Sequence, residues 1–172
     1  MGAVDVETAI RTRRTHKAYD VEPVPRELVE ELLELARWAP NHHLTEPWRF
    51  RVLGPRTLER LIAAGGPAEG AKLRRAPTLV VASAVQTGDG NQDHEDVLAT
   101  AVAVYVVLLG AHARGLASYW RTPALFETPE AHGILGFGEN EEFVALIHLG
   151  QPATSPPLKE RKPPSEYVEF LA

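Results

Sequence analysis

Basic residues are concentrated in three separate segments of this 172-residue chain. The first is RTRRTHK (11–17), the second is YWRTP around Arg121, and the third is KERK (159–162). An arginine guanidinium can bind a phosphate group through two hydrogen bonds, so segments that met in the fold could bind one anion. Each segment alone is equally consistent with solvated surface. The sequence therefore raises the hypothesis of an anion site and leaves both interpretations open.

Two adjacent histidines, His42 and His43, lie in APNHHLTEPWRF (39–50). Adjacent side chains on regular structure point apart, and no HExxH motif or ligand-spaced carboxylate accompanies the pair. A second polar cluster, His94 to Asp96, lies where a helix is predicted to start, and acidic residues there suit the helix dipole. We therefore predict that the protein has no metal site.

Motifs for side-chain nucleophiles and for phosphate-binding loops are absent from the sequence. There is no cysteine, no GxSxG, no GxGxxG and no P-loop pattern. Ser83 lies within a predicted strand, where a core role is expected. We predict no catalytic side chain from these patterns.

Composition is that of an ordinary globular domain, with 44% hydrophobic and 24% charged residues. The formal net charge of −5 argues against nucleic acid or an anionic membrane as the main partner. The absence of cysteine leaves the redox compartment undecided. The first residues show no secretory-signal pattern, so we expect a cytoplasmic protein.

The apolar segment from Val97 to Ala113 is the most unusual element along the chain, since it contains no Asp, Glu, Lys or Arg. At 17 residues it is shorter than the roughly 20 that span a bilayer. A helix that is apolar all round must be covered on every side, so we predict a central helix with a partner subunit as its cover.

The other predicted elements interleave helices with strands in a single domain over residues 1–172, an α/β or α+β order. Residues 66–77 are predicted to form a loop or partly helical connector, and residues 86–93 a polar turn. A short helix is predicted after Thr128 as its N-cap. The remaining predicted helices begin near residues 5, 26 and 55, and the strands cover residues 48–54, 77–85 and EFVALIHLGQP (142–152).

Several motifs, in order along nearly the whole chain, resemble those of the nitroreductase family of flavoenzymes, above all its small YdjA-like members. AIRTRRTHKAYD (9–20) is followed by a Pro-Val-Pro, an amphipathic helix and APNHHLTEPWRFRVL (39–53). Later come GLASYWRTPALFETPEAHGILGF (115–137) and EFVALIHLGQP (142–152). The resemblance implies an α+β fold with a central, mostly antiparallel sheet flanked by helices. It also implies an intertwined homodimer, with a C-terminal tail (about 153–172) docked on the partner.

The resemblance implies a bound group that supplies the chemistry. FMN is expected to bind non-covalently at the dimer interface, with NADH or NADPH as electron donor and a small-molecule acceptor such as a nitroaromatic compound or a quinone. The expected cycle is ping-pong. Other flavin chemistry on the same fold, such as dehydrogenation or dehalogenation, and a flavin-binding protein with little turnover, remain as alternatives.

Positions for the FMN phosphate follow from the same resemblance. Arg13, Arg14 and Thr15 match an Arg-Arg-Ser motif that contacts the phosphate, the ribityl chain and the flavin edge. Thr15 keeps the hydroxyl of that serine. Lys159 and Arg161 resemble the basic C-terminal residues that many members place on the phosphate.

Positions near the flavin ring are implied in two other segments. Trp38 and His42 match positions that reach the flavin across the dimer, although YdjA-like proteins carry arginine where Trp38 stands. Trp120, Arg121 and Thr122 match a Trp-Arg-Ser segment near the cofactor.

Two further departures from the family pattern concern the same segments. Glu46 replaces a glutamine before Pro-Trp, and a carboxylate near the flavin would lower its reduction potential. Pro123 replaces a glycine and stiffens its loop.

Overall fold

A four-stranded antiparallel sheet with helices on both faces forms the core of the computed structural model, which describes residues 5–171. The described part of the chain also contains three short 3-10 turns, at His42–Leu44, Ala124–Glu127 and Pro164–Glu166. The helices are α1 (Val6–Thr12), α2 (Arg26–Ala36), α3 (Pro55–Leu73), α4 (Gly90–Ala113) and α5 (Pro129–Leu135). The strands are β1 (Trp48–Val52), β2 (Thr78–Val85), β3 (Ala117–Arg121) and β4 (Glu141–Gly150).

The strand order is β1-β2-β4-β3, and every pairing is antiparallel. The predicted α+β class and antiparallel sheet are therefore confirmed, and the α/β alternative is excluded. β2 and β4 occupy the centre and are buried almost throughout, as their continuous apolar sequences indicate. β1 and β3 are the edge strands, and the predicted site segments lie next to these two edges.

Two apolar clusters cover the two faces of the sheet. Helices α2 and α4 pack on one face, where Leu32, Val80 and Val107 are fully buried. Helices α3 and α5 pack on the other, around Leu61, Phe126 and other residues of the second cluster. The sheet thus lies between two helical layers, and both ends of β3 are close to helix termini.

Helix α4 extends beyond the apolar segment, because it begins at Gly90, four residues before the start predicted at His94. The expected polar turn ends early, since the side chain of Asp89 caps the helix and accepts a hydrogen bond from the Asn91 N–H (3.0 Å). By length and composition α4 could cross a membrane, but half of its most apolar window is buried within the fold. Its apolar character is thus accounted for in part by the sheet that it covers.

The opposite face of α4 is left uncovered by the part of the chain that the structure describes. Leu98, Val102 and Tyr105 are exposed, and their spacing of four and three residues puts them on one stripe of the helix. Val6 and Ile10 of α1 are exposed apolar residues as well. A second copy of the chain would bury such surface, as the sequence suggested.

Helix α3 continues through residues that were predicted to form a loop or partly helical connector. It breaks at Gly66, whose φ of 71° and ψ of −179° suit only glycine, and Pro67 then starts the second half. The helix therefore carries Glu69 to the end of β3. By contrast, the N-cap predicted at Thr128 is confirmed, since its hydroxyl accepts from the Ala131 N–H (3.2 Å).

A largely buried ion pair ties β1 to the start of β4. Arg51 donates from both terminal nitrogens to the two oxygens of Glu141, each at 2.8 Å, and Ser83 Oγ donates to the same carboxylate at 2.6 Å. Burial opposes ionisation, but these hydrogen bonds outweigh it and lower the pKa of Glu141 to about 2. The pair fixes the sheet without contacting the candidate site.

Candidate functional site

A basic cavity of about 400 Å³ lies between the end of α1, the outer edge of β3 and the C-terminal tail. It combines the first and third basic segments of the sequence and has no acidic residue in its lining. Its lining residues are Arg13, Arg14, Thr15, Lys17, Tyr119, Pro156, Pro157, Lys159 and Arg161.

The cavity forms here because the chain after α1 is pinned to β3. Arg13 ends the helix, and the backbone then extends so that Thr15 pairs with Ser118. The His16 N–H donates to the Ser118 carbonyl at 3.1 Å. After β4 the chain returns alongside, since the Ala153 N–H donates to the Ala18 carbonyl at 3.4 Å. The two basic segments therefore run along the same edge.

The five cations of this cavity are not neutralised by any of residues 5–171. Within that range Arg13, Arg14, Lys17, Lys159 and Arg161 form no ion pair, whereas ten other basic side chains, one of them a histidine, pair with glutamates. Such concentrated positive charge in a chain of net charge −5 is costly unless an anion balances it. The donor set of guanidinium, ammonium and hydroxyl groups suits a phosphate.

Arg14 has a second role besides contributing charge. One of its terminal nitrogens donates to the carbonyls of Arg11 (2.8 Å) and Arg13 (2.7 Å), at the C-terminal end of α1. Its Nε is buried without a partner among the described residues. Arg14 thus closes the helix and keeps one buried donor without a partner among the described residues.

Two histidines near Arg13, His16 and His112, have lowered pKa values. Burial lowers the pKa of His16, and the nearby Arg13 adds to the effect. Burial also lowers the pKa of His112, with Arg13 again the next cause. Both imidazoles are therefore biased toward the neutral form, which leaves the positive charge of the site to the arginines and lysines.

Arg121 lies outside this cavity. Its Nη2 donates to Glu69 Oε1 at 2.8 Å, and the two side chains are only 10% and 15% exposed. Burial alone would raise the pKa of Glu69, but the hydrogen bonds from Arg121 and Lys72 outweigh it, so the pKa is lowered overall. The charge of Arg121 in the second basic segment is therefore balanced within the chain by Glu69. Glu69 lies in the segment predicted to be a connector, and it was not among the predicted site residues.

The neighbours of Arg121 face different surroundings. Trp120 is half-buried and packs against the core cluster between the sheet, α2 and α4, whereas Thr122 is exposed. Neither residue lines the basic cavity. Within one chain, the Trp-Arg-Thr segment therefore does not line the cavity that the Arg-Arg-Thr segment lines.

Trp38 and His42 lie at the end of α2, next to the N-terminal part of α4. Trp38 is 76% exposed, with the Arg37 guanidinium 5.7 Å from its ring centre. His42 Nδ1 donates to Glu95 Oε2 at 2.6 Å. The expectation that His42 and His43 point apart is wrong: their rings stack at 3.8 Å, because His43 adopts a left-handed φ of 57°.

No group of three or more His, Asp or Glu side chains is arranged to hold a metal ion in the part of the chain that the structure covers. Glu95 of the His94–Asp96 cluster is instead bonded to His42, and Asp96 to Thr45. The polar residues at the start of α4 therefore serve to attach the segment after α2.

A buried histidine lies behind Tyr119, which lines the cavity. His148 is 0% exposed, and both of its ring nitrogens lack a partner among residues 5–171. Burial, reinforced by the nearby Arg121, lowers its pKa to about 4. Tyr19 and Tyr119 pack around it, with ring centres at 6.4 and 5.7 Å. His148 is therefore held in its neutral form.

The comparisons with known proteins agree with this architecture. The model of the Nitroreductase family matches residues 10–65, which include the Arg-Arg-Thr and His-His segments. The solved structure of a Desulfovibrio desulfuricans protein, described as a nitroreductase in complex with FMN, superposes with a TM-score of 0.81. It is 28% identical, and the match covers 99% of each chain. The expected nitroreductase-like fold is confirmed.

Two curated relatives match most of the sequence. The Bacillus subtilis protein YfhC, whose name places it among the NAD(P)H nitroreductases, is 28% identical over 170 residues, covering 90% of this chain and 88% of YfhC. A Methanothermobacter thermautotrophicus protein, named as an NADH dehydrogenase or NAD(P)H nitroreductase, is 30% identical over 159 residues, covering 89% of this chain and 80% of the relative. This chain therefore belongs to the nitroreductase family.

Proposed function

We propose that the protein is an FMN-dependent oxidoreductase that takes electrons from NADH or NADPH and passes them to a nitroaromatic compound, a quinone or a similar small acceptor. The observation that carries this proposal is the basic cavity, where five cations that have no ion-pair partner among residues 5–171 surround one space. Membership of the nitroreductase family supports FMN as the anion. Donor and acceptor would use the site alternately, in a ping-pong cycle.

The phosphate of FMN would lie in the basic cavity. Arg13, Lys159 and Arg161 would balance its charge, and the remaining donors of Arg14 and the Thr15 hydroxyl would hydrogen-bond to the phosphate and the ribityl chain. The flavin supplies the electron chemistry when bound, and the chain positions it. This division of labour fits a sequence in which no catalytic side chain was predicted.

A homodimer is part of the proposal, because one chain leaves too much apolar surface uncovered. The stripe Leu98–Val102–Tyr105 on α4 and the exposed residues Val6 and Ile10 of α1 would form its seam. Such a seam would bury the surface of α4 that the sheet does not cover. An isologous contact of this kind is the commonest arrangement among soluble oligomers.

The C-terminal tail would complete the dimer by docking on the partner subunit. Its apolar residues Phe170 and Leu171 are exposed, while an apolar groove of about 670 Å³ lies between α2, α3 and the end of the edge strand β1. An edge strand has unpaired backbone groups, and an extended apolar tail can satisfy and cover them. We propose this groove as the place that receives the partner's tail.

The residues that do not reach the basic cavity of their own chain are proposed to act at the site of the other subunit or at its periphery. Trp38 and His42 lie after the end of α2, where His42 contacts the start of α4, and would approach the flavin held by the partner. Trp120, Arg121 and Thr122 would border the cofactor from β3, with Arg121 fixed by Glu69. The enzyme would act in the cytoplasm, where reduced nicotinamide nucleotides are available.

The proposal is tested by substituting one cavity arginine and measuring FMN affinity. Arg13→Gln removes a charge-assisted contact worth about 1.5–3 kcal/mol, so the Kd for FMN should rise about 10- to 150-fold. Arg56→Gln is the matched control, because Arg56 is exposed on α3 and forms no ion pair with the described residues. Titrations followed by the quenching of flavin fluorescence give both values.

The reaction itself is tested by NADH and NADPH oxidation with nitroaromatic and quinone acceptors. Turnover that depends on bound FMN and on an added acceptor supports the proposed enzyme. FMN binding with negligible oxidation of either nucleotide would instead identify a flavin-binding protein, and absence of FMN binding would overturn the proposal.

A further inference from the structure

The segment His42–Glu46 is held in a conformation that its residues disfavour. His43, Leu44 and Glu46 have φ values of 57°, 52° and 45°, and none of them is glycine. Left-handed conformations cost of order 1 kcal/mol or more for such residues, so they persist only where surrounding contacts impose them. The conformation of this segment therefore depends on the contacts that hold it in place.

A buried carboxylate provides the firmest of these contacts. Asp96 on α4 is 1% exposed, and its Oδ1 accepts hydrogen bonds from Thr45 Oγ1 at 2.6 Å and from Gln92 Nε2 at 3.0 Å. Its Oδ2 has no partner in the described region, and no cation pairs with it there. A buried carboxylate with so few donors is costly, which makes the hydroxyl of Thr45 a valuable ligand for it.

The second contact between the segment and α4 is weaker. His42 Nδ1 and Glu95 Oε2 are 2.6 Å apart, but both side chains are about half exposed. Water and salt compete with a pair at such a position. The hydrogen bond from the Glu46 N–H to Asn41 Oδ1 (3.0 Å) acts only within the segment. The Thr45–Asp96 bond is therefore the main link between the strained segment and the rigid core.

The strained segment presents an apolar side chain to the outside. Leu44 is 79% exposed, and Trp38 close by at the end of α2 is similarly exposed. Strain that keeps a leucine in water has no benefit for the isolated chain. The strain has a benefit if Leu44 and His42 border a ligand that another subunit holds.

Resting on the proposed function, we infer that Thr45 and Asp96 are positioning residues for the flavin site of the partner subunit. Asp96, fixed in the core, holds Thr45, and Thr45 holds the left-handed segment whose Leu44 and His42 form a wall of the acceptor pocket. The two residues touch neither the flavin nor the acceptor. They determine the shape of the pocket by fixing the segment that borders it.

The test removes the hydroxyl of Thr45 without changing its shape. In Thr45→Val the KM for p-benzoquinone, measured with NADH and the FMN-loaded protein, should rise about tenfold, while kcat changes less than about twofold. A tenfold effect corresponds to about 1.4 kcal/mol. The fluorescence and visible spectrum of bound FMN should also shift. Thr45→Ser keeps the hydroxyl and should restore both properties.

The matched control is Thr100→Val, one helical turn after Asp96. Thr100 is buried on α4, and its hydroxyl has no partner among residues 5–171. The same chemical change there should leave the KM and the FMN spectrum unaltered. Thr45→Val protein with wild-type KM and spectrum, even with a lower Tm, would overturn the inference while leaving the proposed function standing. Wild-type protein that fails to bind FMN would overturn both.

Discussion

Acid sensitivity of the fold should depend on His148. The pKa of this histidine is about 4 in the folded chain, against about 6.5 for an unperturbed imidazole. Between these values the unfolded chain binds a proton that the folded chain does not, so stability falls as the pH falls through that window. The linkage relation gives a loss of about 2 kcal/mol between pH 7 and pH 5 from this one group. For a domain of this size that is about 4–8 °C in Tm.

The measurement is urea denaturation of the wild type and of His148→Phe at both pH values, without added FMN. Phenylalanine keeps a ring between Tyr19 and Tyr119 but cannot bind a proton. The variant should lose about 2 kcal/mol less than the wild type on going to pH 5. His16 and His112, whose pKa values are lowered as well, contribute equally to both proteins. Equal pH-dependent losses in the two proteins would refute the reasoning.

Three further predictions concern stability and assembly. Arg51→Ala leaves the largely buried carboxylate of Glu141 without its cation and should destabilise the fold by about 3–5 kcal/mol in urea denaturation. The control, Arg49→Ala on the same strand, removes only exposed hydrogen bonds to backbone carbonyls and should cost less than about 1 kcal/mol. Equal losses of stability in the two variants would contradict the role of the Arg51–Glu141 pair. Thr128→Ala removes the N-cap of α5 and should cost about 1 kcal/mol in the same assay, and an unchanged midpoint would argue against the cap. Val102→Glu places a charge on the exposed stripe of α4 and should convert dimers to monomers in analytical ultracentrifugation, while an intact dimer would place the interface elsewhere.

The elements with regular patterns were predictable from the sequence. The heptad-like spacing of Leu28, Leu32 and Leu35 gave α2, and the uninterrupted apolar residues of β2 and β4 gave the two central strands. The N-cap at Thr128 followed from a threonine directly before a proline. These features depend on neighbours within a few positions, and local patterns report such neighbours directly.

The parts that could not be predicted depend on partners far away in the sequence. Arg121 and its partner Glu69 are 52 positions apart, and Thr45 is 51 positions from Asp96. No local signal marks such pairs. β3 was missed because it is a short edge strand whose pairing with β4 defines it, and the left-handed φ of His43 occurs in a segment that the distant pair Thr45–Asp96 attaches to α4.

The candidate site was only partly predictable, because its residues also come from distant parts of the sequence. The convergence of the Arg13–Arg14 segment with Lys159 and Arg161 was a hypothesis from charge alone, and the structure brings these segments together. Arg121 was grouped with them by residue type, yet the structure pairs it with the partly buried Glu69. Charge type identifies candidates, but only the fold shows which charges are already balanced.

The most direct measurement compares FMN with riboflavin by isothermal titration calorimetry, because the two ligands differ only in the phosphate. If the basic cavity holds that phosphate, FMN should bind once per chain. Riboflavin should bind at least about 100-fold more weakly, because it lacks two or more of the charge-assisted hydrogen bonds that FMN makes. Equal affinity for the two flavins, or no binding of FMN, would contradict the assignment of the cavity.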